Sequence, residues 1–471
     1  MPEGMRKSES VVPCTAGRGR GTARLARKGE EAPEMTRMKK LIGLAHLRIR
    51  PGARGVRTTM KTKMYLIAVG VMIGATSVMG VGLTVLPATH SGTNNANAAS
   101  GYHIQGMTDD GAYVVGTAYN PGGPYDGANG ILIIKVSDLT TTLLQPKAGT
   151  SGRGIAYTSA GLMVAGAVGS NSALGRAYDA GSPPSTNYYL DTMNGTTSEV
   201  KVAQMNCLSI DAATGNGWLV GERHNGKEAV AYKYVNGVAQ NKVGTNPRAF
   251  WEKQGTGDTV LNGVSNTGLA VGTDNGGKRA IYADVANNGD VTPIPQHPNS
   301  TGEGQGNGMS AGGLYASGYM KPLALVSDDS LHAFLWKVGS EYSVELLPAG
   351  GDIDGVQQSN SFDVSDNGTA VGFTWNGKDR AGNSFTGYRA TVWENGNTTG
   401  VLVQDILTSQ GVDLSAWQYL ERCISVTPDG LTIAGRGVLA DGTYRGFVAV
   451  IPEPAGVVLL GLGSLLLRRR R

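Results

Sequence analysis

Residues 363–372 read DVSDNGTAVG, and six similar stretches occur elsewhere in this chain of 471 residues. Each stretch has an apolar strand, a Ser or small residue, a turn ending in Gly, a second apolar strand and a closing Gly. Asx-Gly steps between apolar runs, such as Asn367-Gly368 and Asp429-Gly430, predict tight β-hairpins. The seven stretches are GMTDDGAYVVG (106–116), AYTSAGLMVAG (156–166), SIDAATGNGWLVG (209–221), GVSNTGLAVG (263–272), GMSAGGLYASG (308–318), DVSDNGTAVG (363–372) and SVTPDGLTIAG (425–435).

A third and a fourth strand follow the hairpin in most units. Third strands are expected at GILII (130–134), RAIY (279–282), HAFLW (332–336), RATVW (389–393) and RGFV (445–448), and fourth strands at 344–347 and 400–403. Four short antiparallel strands in about 50 residues are typical of a propeller blade. We therefore expect an all-β fold, a seven-bladed β-propeller over residues 99–451 with helices at both ends of the chain. A β-sandwich array or a β-solenoid is the alternative.

The composition agrees with short strands joined by turns. The chain has 71 Gly, 17% charged and 40% hydrophobic residues, which argues against wholesale disorder. Its net charge of +4 comes from the two ends, because residues 64–467 hold 21 basic and 32 acidic residues. An acidic middle region argues against nucleic acid as a partner.

The N-terminal region predicts export. Residues 1–59 are a basic, patternless leader, either disordered or an over-extended gene start ahead of Met60. Residues 60–98 predict a signal peptide or a signal anchor, because Lys61 and Lys63 precede the apolar stretch 65–86. The small-x-small exit formed by Ala96 and Ala98 predicts cleavage before Ala99, and an uncleaved anchor is the alternative.

The C-terminal residues 452–471 resemble the PEP-CTERM sorting signal of exosortase-carrying Gram-negative bacteria. They comprise Pro452-Glu453-Pro454, the apolar run AGVVLLGLGSLLL, and Arg468, Arg469, Arg470 and Arg471. The resemblance implies an inner-membrane intermediate, recognition by an exosortase, removal near Pro452–Pro454, and release to the cell surface or extracellular matrix. A plain C-terminal membrane anchor is the alternative, although thirteen apolar residues are few for a membrane-spanning helix, which needs about 20.

The repeat units resemble HAF-type extracellular repeats. The family's triplet occurs as His332-Ala333-Phe334, and units four to six match best. Unit three carries an insertion around 242–247, and the stretch 405–417 also looks like the family. This resemblance implies no known catalytic activity.

Several catalytic or binding motifs have simpler explanations within the repeat. Ser310 completes a G-x-S-x-G sequence, but we expect a strand rather than a helix to follow, and Ser265, Ser365 and Ser425 are expected at the equivalent positions of sister units. The P-loop-like stretch 272–278 has Arg279 where Ser or Thr is needed, so it predicts a loop between strands two and three. The GDIDG stretch (351–355) largely fails the calcium-loop template. Acidic residues recur in turns: Asp109, Asp110, Asp211, Asp328, Asp329 and Asp366.

We therefore predict no catalytic residue, metal or cofactor. The first functional hypothesis is a non-catalytic surface or matrix protein that binds glycans or other exported polymers, with the secretion machinery and exosortase as partners. The second is a secreted enzyme acting on polysaccharide, a hydrolase or lyase; aromatic residues at one channel mouth flanked by two carboxylates would favour it. Cys207 and Cys423 are expected ahead of the first strands of nearly opposite blades, and therefore unpaired.

Overall fold

The computed structural model describes residues 81–87, 102–118, 130–144, 150–158, 161–168, 173–178, 202–223, 228–236, 238–240, 251–253, 258–274, 278–323, 331–351 and 357–451. All of them lie in the unit Val78–Arg471. The leader and the PEP-CTERM-like tail fall outside these residues, as do most of the predicted signal segment, the 242–247 insertion and most of the GDIDG stretch.

The described residues form 28 strands and one helix. In chain order these are β1 (Gly82–Val85), β2 (Tyr102–Met107), β3 (Tyr113–Ala118), β4 (Gly130–Lys135), β5 (Thr141–Leu144), β6 (Thr150–Thr158), β7 (Gly161–Val168), β8 (Ala173–Tyr178), β9 (Val202–Ile210), β10 (Gly217–Arg223), β11 (Glu228–Val235), β12 (Val238–Gln240), β13 (Trp251–Lys253), β14 (Val260–Val264), β15 (Leu269–Asp274), β16 (Arg279–Asp284), β17 (Thr292–Pro293), β18 (Ser300–Met309), β19 (Tyr315–Pro322), β20 (His332–Lys337), β21 (Val344–Leu346), β22 (Gln358–Val364), β23 (Ala370–Trp375), β24 (Tyr388–Trp393), β25 (Val401–Leu402), α1 (Val403–Ser409), β26 (Trp417–Val426), β27 (Thr432–Leu439) and β28 (Tyr444–Val450).

The strands assemble into a β-propeller with six blades of four antiparallel strands. Five blades follow the chain: β2–β5, β9–β12 with β13 also paired to β11, β14–β17, β18–β21 and β22–β25. The sixth is β26–β28 completed by β1, which pairs with the outer side of β28. A further sheet, β6–β8, has three described strands. The first strands of all these sheets contact one another in a closed ring, so they surround a central axis.

All seven first strands share a β-bulge at the same place. In the sheet β14–β17, for example, Leu261 faces Gly272 and Gly263 faces Val271, so Asn262 is the extra residue. The closing Gly of each repeat is the residue opposite the start of the bulge. A Cβ on Gly372 would lie 1.9 Å from the carbonyl oxygen of Asn360, which explains why the position is glycine.

The hydrophobic core lies between neighbouring sheets and is continued by buried tryptophans. Trp393 donates from Nε1 to the carbonyl of Leu347 in the preceding blade at 2.7 Å. Trp251 donates to the carbonyl of Gly289 in the following blade at 3.0 Å. Each blade therefore buries its faces only by stacking on its neighbours.

The predicted hairpins and third strands are confirmed, and two elements differ from expectation. The expected fourth strand at 400–403 is only Val401–Leu402, because the chain turns into α1 at Val403, whose side chain is fully buried. The end of the predicted signal segment contains β1, so the described propeller begins at Gly82, ahead of Ala99. Apolar and β-branched residues suit both a signal segment and a strand. Among the described residues, no helix has the length and apolar character required to cross a bilayer.

Candidate functional site

The bulges of the first strands supply the side chains that line the central channel. Each bulge contributes one extra residue at equivalent positions: Gln105, Arg153, Asn206, Asn262, Asn307, Phe362 and Ile424. All seven line the same opening, a cavity of about 470 Å³ at the end where the first strands begin. This opening is the candidate functional site.

Three of the channel asparagines connect consecutive blades. The side-chain amide of Asn206 donates to the carbonyl of Leu261 at 2.9 Å, and Asn262 donates to Gly306 at 2.9 Å. Asn307 continues the series with a bond to the carbonyl of Ser361 at 2.8 Å. Each bond joins a side chain of one blade to a backbone carbonyl of the next.

The channel narrows at the residue that follows each bulge. Four of the seven positions are glycine, and a Cβ on Gly308 would lie 2.5 Å from the Cα of Asp363 in the next blade. Cys207, Asp363 and Ser425 occupy the other three. Backbones therefore approach one another closely at this waist.

Asp363 is the carboxylate at the waist. Its Oδ2 accepts hydrogen bonds from the hydroxyl of Ser425 at 3.0 Å and the backbone N–H of Val426 at 3.0 Å, and its Oδ1 accepts from the N–H of Val364 at 2.9 Å. Loss of water at the waist raises the pKa of Asp363 to about 7, although these three hydrogen bonds act to lower it.

The far end of the channel carries acidic hairpin turns. Protein atoms around Asp109 raise its pKa to about 6 even though part of the side chain reaches solvent, and the carboxylates of Asp366, Asp110 and Asp211 raise it further. Asp110 accepts bonds from the Thr108 hydroxyl at 2.6 Å and the Ala112 N–H at 2.9 Å. The prediction that such residues form turns is confirmed for Asp110.

The near end carries arginines instead, and we call it the arginine mouth. It is lined by Arg153, Arg422 and Arg436 together with Glu222 and by the bulge residues. The two ends of the channel therefore differ in charge. This contrast is local, because the propeller as a whole is acidic.

A single buried carboxylate holds two of the arginines. Glu421 is 4% exposed and lies 2.6 Å from Nε of Arg436 and 2.7 Å from Nη2 of Arg422. Burial acts to raise the pKa of Glu421, but the hydrogen bonds and charges of Arg436 and Arg422 outweigh it and lower the pKa. With two guanidiniums for one carboxylate, the group keeps a net positive charge.

Aromatic rings surround the arginines on the last two blades. The guanidinium carbon of Arg422 lies 5.1 Å from the ring centre of Tyr388, and that of Arg436 lies 5.3 Å from Tyr444. Arg389 lies 4.1 Å from the ring of Tyr419. These distances are in the range of cation–π contacts, which hold planar guanidiniums in place.

Ser310 is a turn residue. It is fully buried, and its hydroxyl accepts hydrogen bonds from the N–H groups of Leu314 at 3.0 Å and Tyr315 at 3.1 Å. In the last blade the equivalent hydroxyl belongs to Thr427, which accepts from the N–H of Thr432 at 3.0 Å. The assignment of Ser425 to this role is wrong, because Ser425 lies two residues earlier, at the waist.

Other residues singled out in the sequence also have structural roles. Of the stretch 272–278, residues 272–274 belong to β15, residue 278 directly precedes β16, and residues 275–277 lie outside the described residues. His332 is buried, and its Nδ1 lies 2.6 Å from Oε1 of Glu345 on the neighbouring strand. Cys207 and Cys423 are both free, as predicted, but they lie within β9 and β26 rather than ahead of them. Pro452, Glu453, Pro454, Arg468–Arg471, Ala96 and Ala98 lie outside the described residues.

The arginine mouth was missed in the sequence. Arg422 and Arg436 lie on two strands and become neighbours only when β26 pairs with β27. The available signal was only that both positions are basic in the last unit. Sister units carry mostly polar residues at the position of Arg422, such as Gln204, Gln305 and Asn360, and the third unit has Glu222 at the position of Arg436. A chance surface charge gives the same signal in a single sequence.

No protein-family model matches the chain, and no curated protein matches it. Among solved structures it is similar to an oligogalacturonate lyase in complex with manganese, at 12% identity and a TM-score of 0.42, over 75% of this chain and 90% of the other. An oligogalacturonate lyase from Vibrio parahaemolyticus matches at 10% identity and a TM-score of 0.41, over 80% and 98%. The Dos1 propeller matches at 8% identity and a TM-score of 0.42, over 79% and 97%.

Proposed function

We propose that this chain is an exported, non-catalytic propeller of the cell surface or extracellular matrix that binds an acidic polymer at the arginine mouth. The carrying observation is the group formed by Glu421, Arg422 and Arg436, whose two arginines line the same opening as Arg153 and Phe362. Guanidiniums recognise carboxylates through paired hydrogen bonds, and the ring of Phe362 offers apolar surface to sugar rings. A polysaccharide that contains uronic acids presents both features.

Export rests on the sequence at the two ends. The segment 60–98 directs the chain to the secretion machinery, and the PEP-CTERM-like tail 452–471 holds it in the inner membrane until an exosortase removes the tail. The repeat units of the propeller resemble HAF-type extracellular repeats, which fits an extracellular protein. Retention of the full tail in exosortase-containing cells, with extraction only by detergent, would identify a plain anchor instead.

The sheet β6–β8 is the seventh blade. Its first strand carries the same bulge, at Arg153, and lies in the ring between the first strands β2 and β9. The sequence between β8 and β9 is long enough to supply a fourth strand. A seven-bladed ring places Arg153 in the arginine mouth with the other bulge residues.

Binding is tested with the purified exported protein and a soluble uronic-acid polysaccharide. Arg422→Gln and Arg436→Gln are each expected to weaken the affinity at least about tenfold. Lys337→Gln is the matched control, because Lys337 is an exposed cation far from the arginine mouth. In the strand register it lies opposite Tyr315, next to the hairpin turn at the other end of its blade. Equal losses in all three variants would indicate non-specific attraction and contradict the proposal.

A polysaccharide-cleaving enzyme is the second candidate, because the carboxylate Glu222 and the aromatic ring of Phe362 line the arginine mouth and a second carboxylate, Glu421, lies behind its arginines. Burial raises the pKa of Glu222, although the positive charge of Arg153 acts to lower it, whereas the pKa of Glu421 is lowered. Glu222 is therefore a better candidate than Glu421 for a general acid. Chain shortening of the polymer that Glu222→Gln abolishes would favour the enzyme. An unchanged polymer length with intact binding would favour the non-catalytic function.

A further inference from the structure

The strand β1 closes the ring of the propeller. Its four residues pair in antiparallel register with β28, from Gly82 opposite Val450 to Val85 opposite Phe447. The next residue extends the contact, because the N–H of Leu86 donates to the carbonyl of Gly446 at 3.0 Å. Without β1 the last blade would have three strands, and the outer edge of β28 would carry unpaired backbone groups.

Leu86 secures this strand in the core. Its side chain is fully buried and packs in a cluster with Ile104, Met107 and Val114 of the first blade and Val448 of the last. The preceding residue, Val85, is 39% exposed. Leu86 therefore joins the two blades that meet at the closure of the ring.

This placement conflicts with cleavage after Ala98. A cut there would remove β1 and Leu86 from the mature chain and leave an apolar cavity between the first and last blades. Loss of a fully buried leucine is destabilising because the surrounding residues lose their contacts. A chain that folds with β1 needs a processing site ahead of Gly82.

We propose that β1 stays in the mature protein and that signal processing occurs between Ser77 and Val78. This inference rests on the proposed export. The residues ahead of β1 contain a complete shorter signal: Lys61 and Lys63, ten apolar or small residues at 65–74, and the small-x-small exit Ala75-Thr76-Ser77. A signal peptidase would add water across the Ser77–Val78 bond, which leaves a carboxylate on Ser77 and an amine on Val78.

Gly82 lies opposite Val450, so the chain enters β1 beside the point where β28 ends. The two apolar end segments are therefore attached at the same end of the last blade. After the cut, only the C-terminal segment connects the folded propeller to the membrane. Removal of the tail alone then releases the protein.

N-terminal sequencing of the exported protein from its own host tests the cut. We expect the chain to begin at Val78, and a start at Ala99 would overturn the inference. Ala75→Tyr with Ser77→Tyr is expected to leave an uncleaved precursor, whereas the matched pair Ala96→Tyr with Ala98→Tyr is expected to leave processing unchanged. The reverse pattern would assign the cut to Ala98.

Ring closure is tested separately, in the full chain, by Leu86→Ala against Val85→Ala. We expect the first variant to lower the midpoint of thermal unfolding by several degrees and the second to leave it almost unchanged. Equal midpoints would show that β1 does not close the ring. A chain that is never exported would refute the export and the cut together, while the Leu86 and Val85 comparison would still decide closure.

Discussion

Arg436 on β27 and Glu421 on β26 are joined by two hydrogen bonds between the guanidinium and the carboxylate. Nε of Arg436 lies 2.6 Å from Oε2 of Glu421, and Nη2 lies 3.0 Å from Oε1. Arg422 donates to Oε1 as well, at 2.7 Å. The carboxylate thus fixes the orientation of two guanidiniums at the mouth of the channel, where a rigid pair of cations can meet an acidic ligand.

Replacement of Glu421 by Gln is expected to destabilise the protein and to loosen the arginine mouth. Two guanidiniums would lose their counter-charge at a buried position, with an expected cost of about 1–3 kcal/mol because both arginines keep contact with water. Urea unfolding measures this loss. Glu303→Gln, at an exposed position, is the control. A stability equal to that of the control would contradict the structural role of Glu421.

Gly372→Ala tests the explanation of the closing glycines. The added Cβ would meet the carbonyl oxygen of Asn360 at 1.9 Å, and backbone atoms on both sides leave little room to adjust. We expect a loss of more than about 2 kcal/mol in the free energy of unfolding.

Gly442→Ala is the comparison for this test. Gly442 lies in open space and has a φ of +83°, so alanine there carries only a backbone cost of about 1 kcal/mol. If both variants lose the same stability, crowding at the bulge does not explain why the position is glycine.

Asp109 predicts a pH dependence of stability. The folded-state pKa of about 6 lies above the usual value, so the folded protein binds more protons than the unfolded chain between about pH 4 and 6. The contribution of Asp109 to stability is therefore expected to fall as pH rises through this range. Asp109→Asn should remove this contribution to the pH dependence and raise stability at pH 8, by less than about 1 kcal/mol because solvent screens the charge. A slope unchanged by the substitution would refute this assignment.

The two cysteines of the propeller are expected to resist thiol reagents in the folded protein. Cys423 is fully buried, and loss of water around the Cys207 thiol raises its pKa to about 12, although part of Cys207 reaches solvent. Both thiols should react only after unfolding, without a reductant. Rapid labelling of Cys207 in native protein would show that the waist is more open than described.

Local sequence was sufficient to predict the hairpins, because their turn residues form hydrogen bonds with groups no more than five residues away. Thr427 donates to Asp429 and accepts from the N–H of Thr432, and Gly430 adopts a φ of +78°. Such turns need no information from the rest of the fold.

Contacts between distant segments could not be predicted in the same way. β1 has an apolar sequence that also suits a signal peptide, and only its pairing with β28, more than 350 residues away, distinguishes the two. The arginine mouth likewise depends on the position of the bulge in each blade. The bulge residues Asn206, Arg153 and Phe362 have no shared chemistry that would mark them as equivalent.

The central claim is that the arginine mouth binds an acidic polymer, and calorimetric titration with one ligand in two forms tests it most directly. The ligand is a uronic-acid oligosaccharide, and the comparison is the same oligosaccharide with its carboxyl groups reduced to alcohols. We expect the acidic form to bind the exported protein at least about tenfold more tightly than the neutral form, and Arg422→Gln to remove the difference. Equal binding of the two forms, or a preference that Arg422→Gln leaves unchanged, would contradict the account.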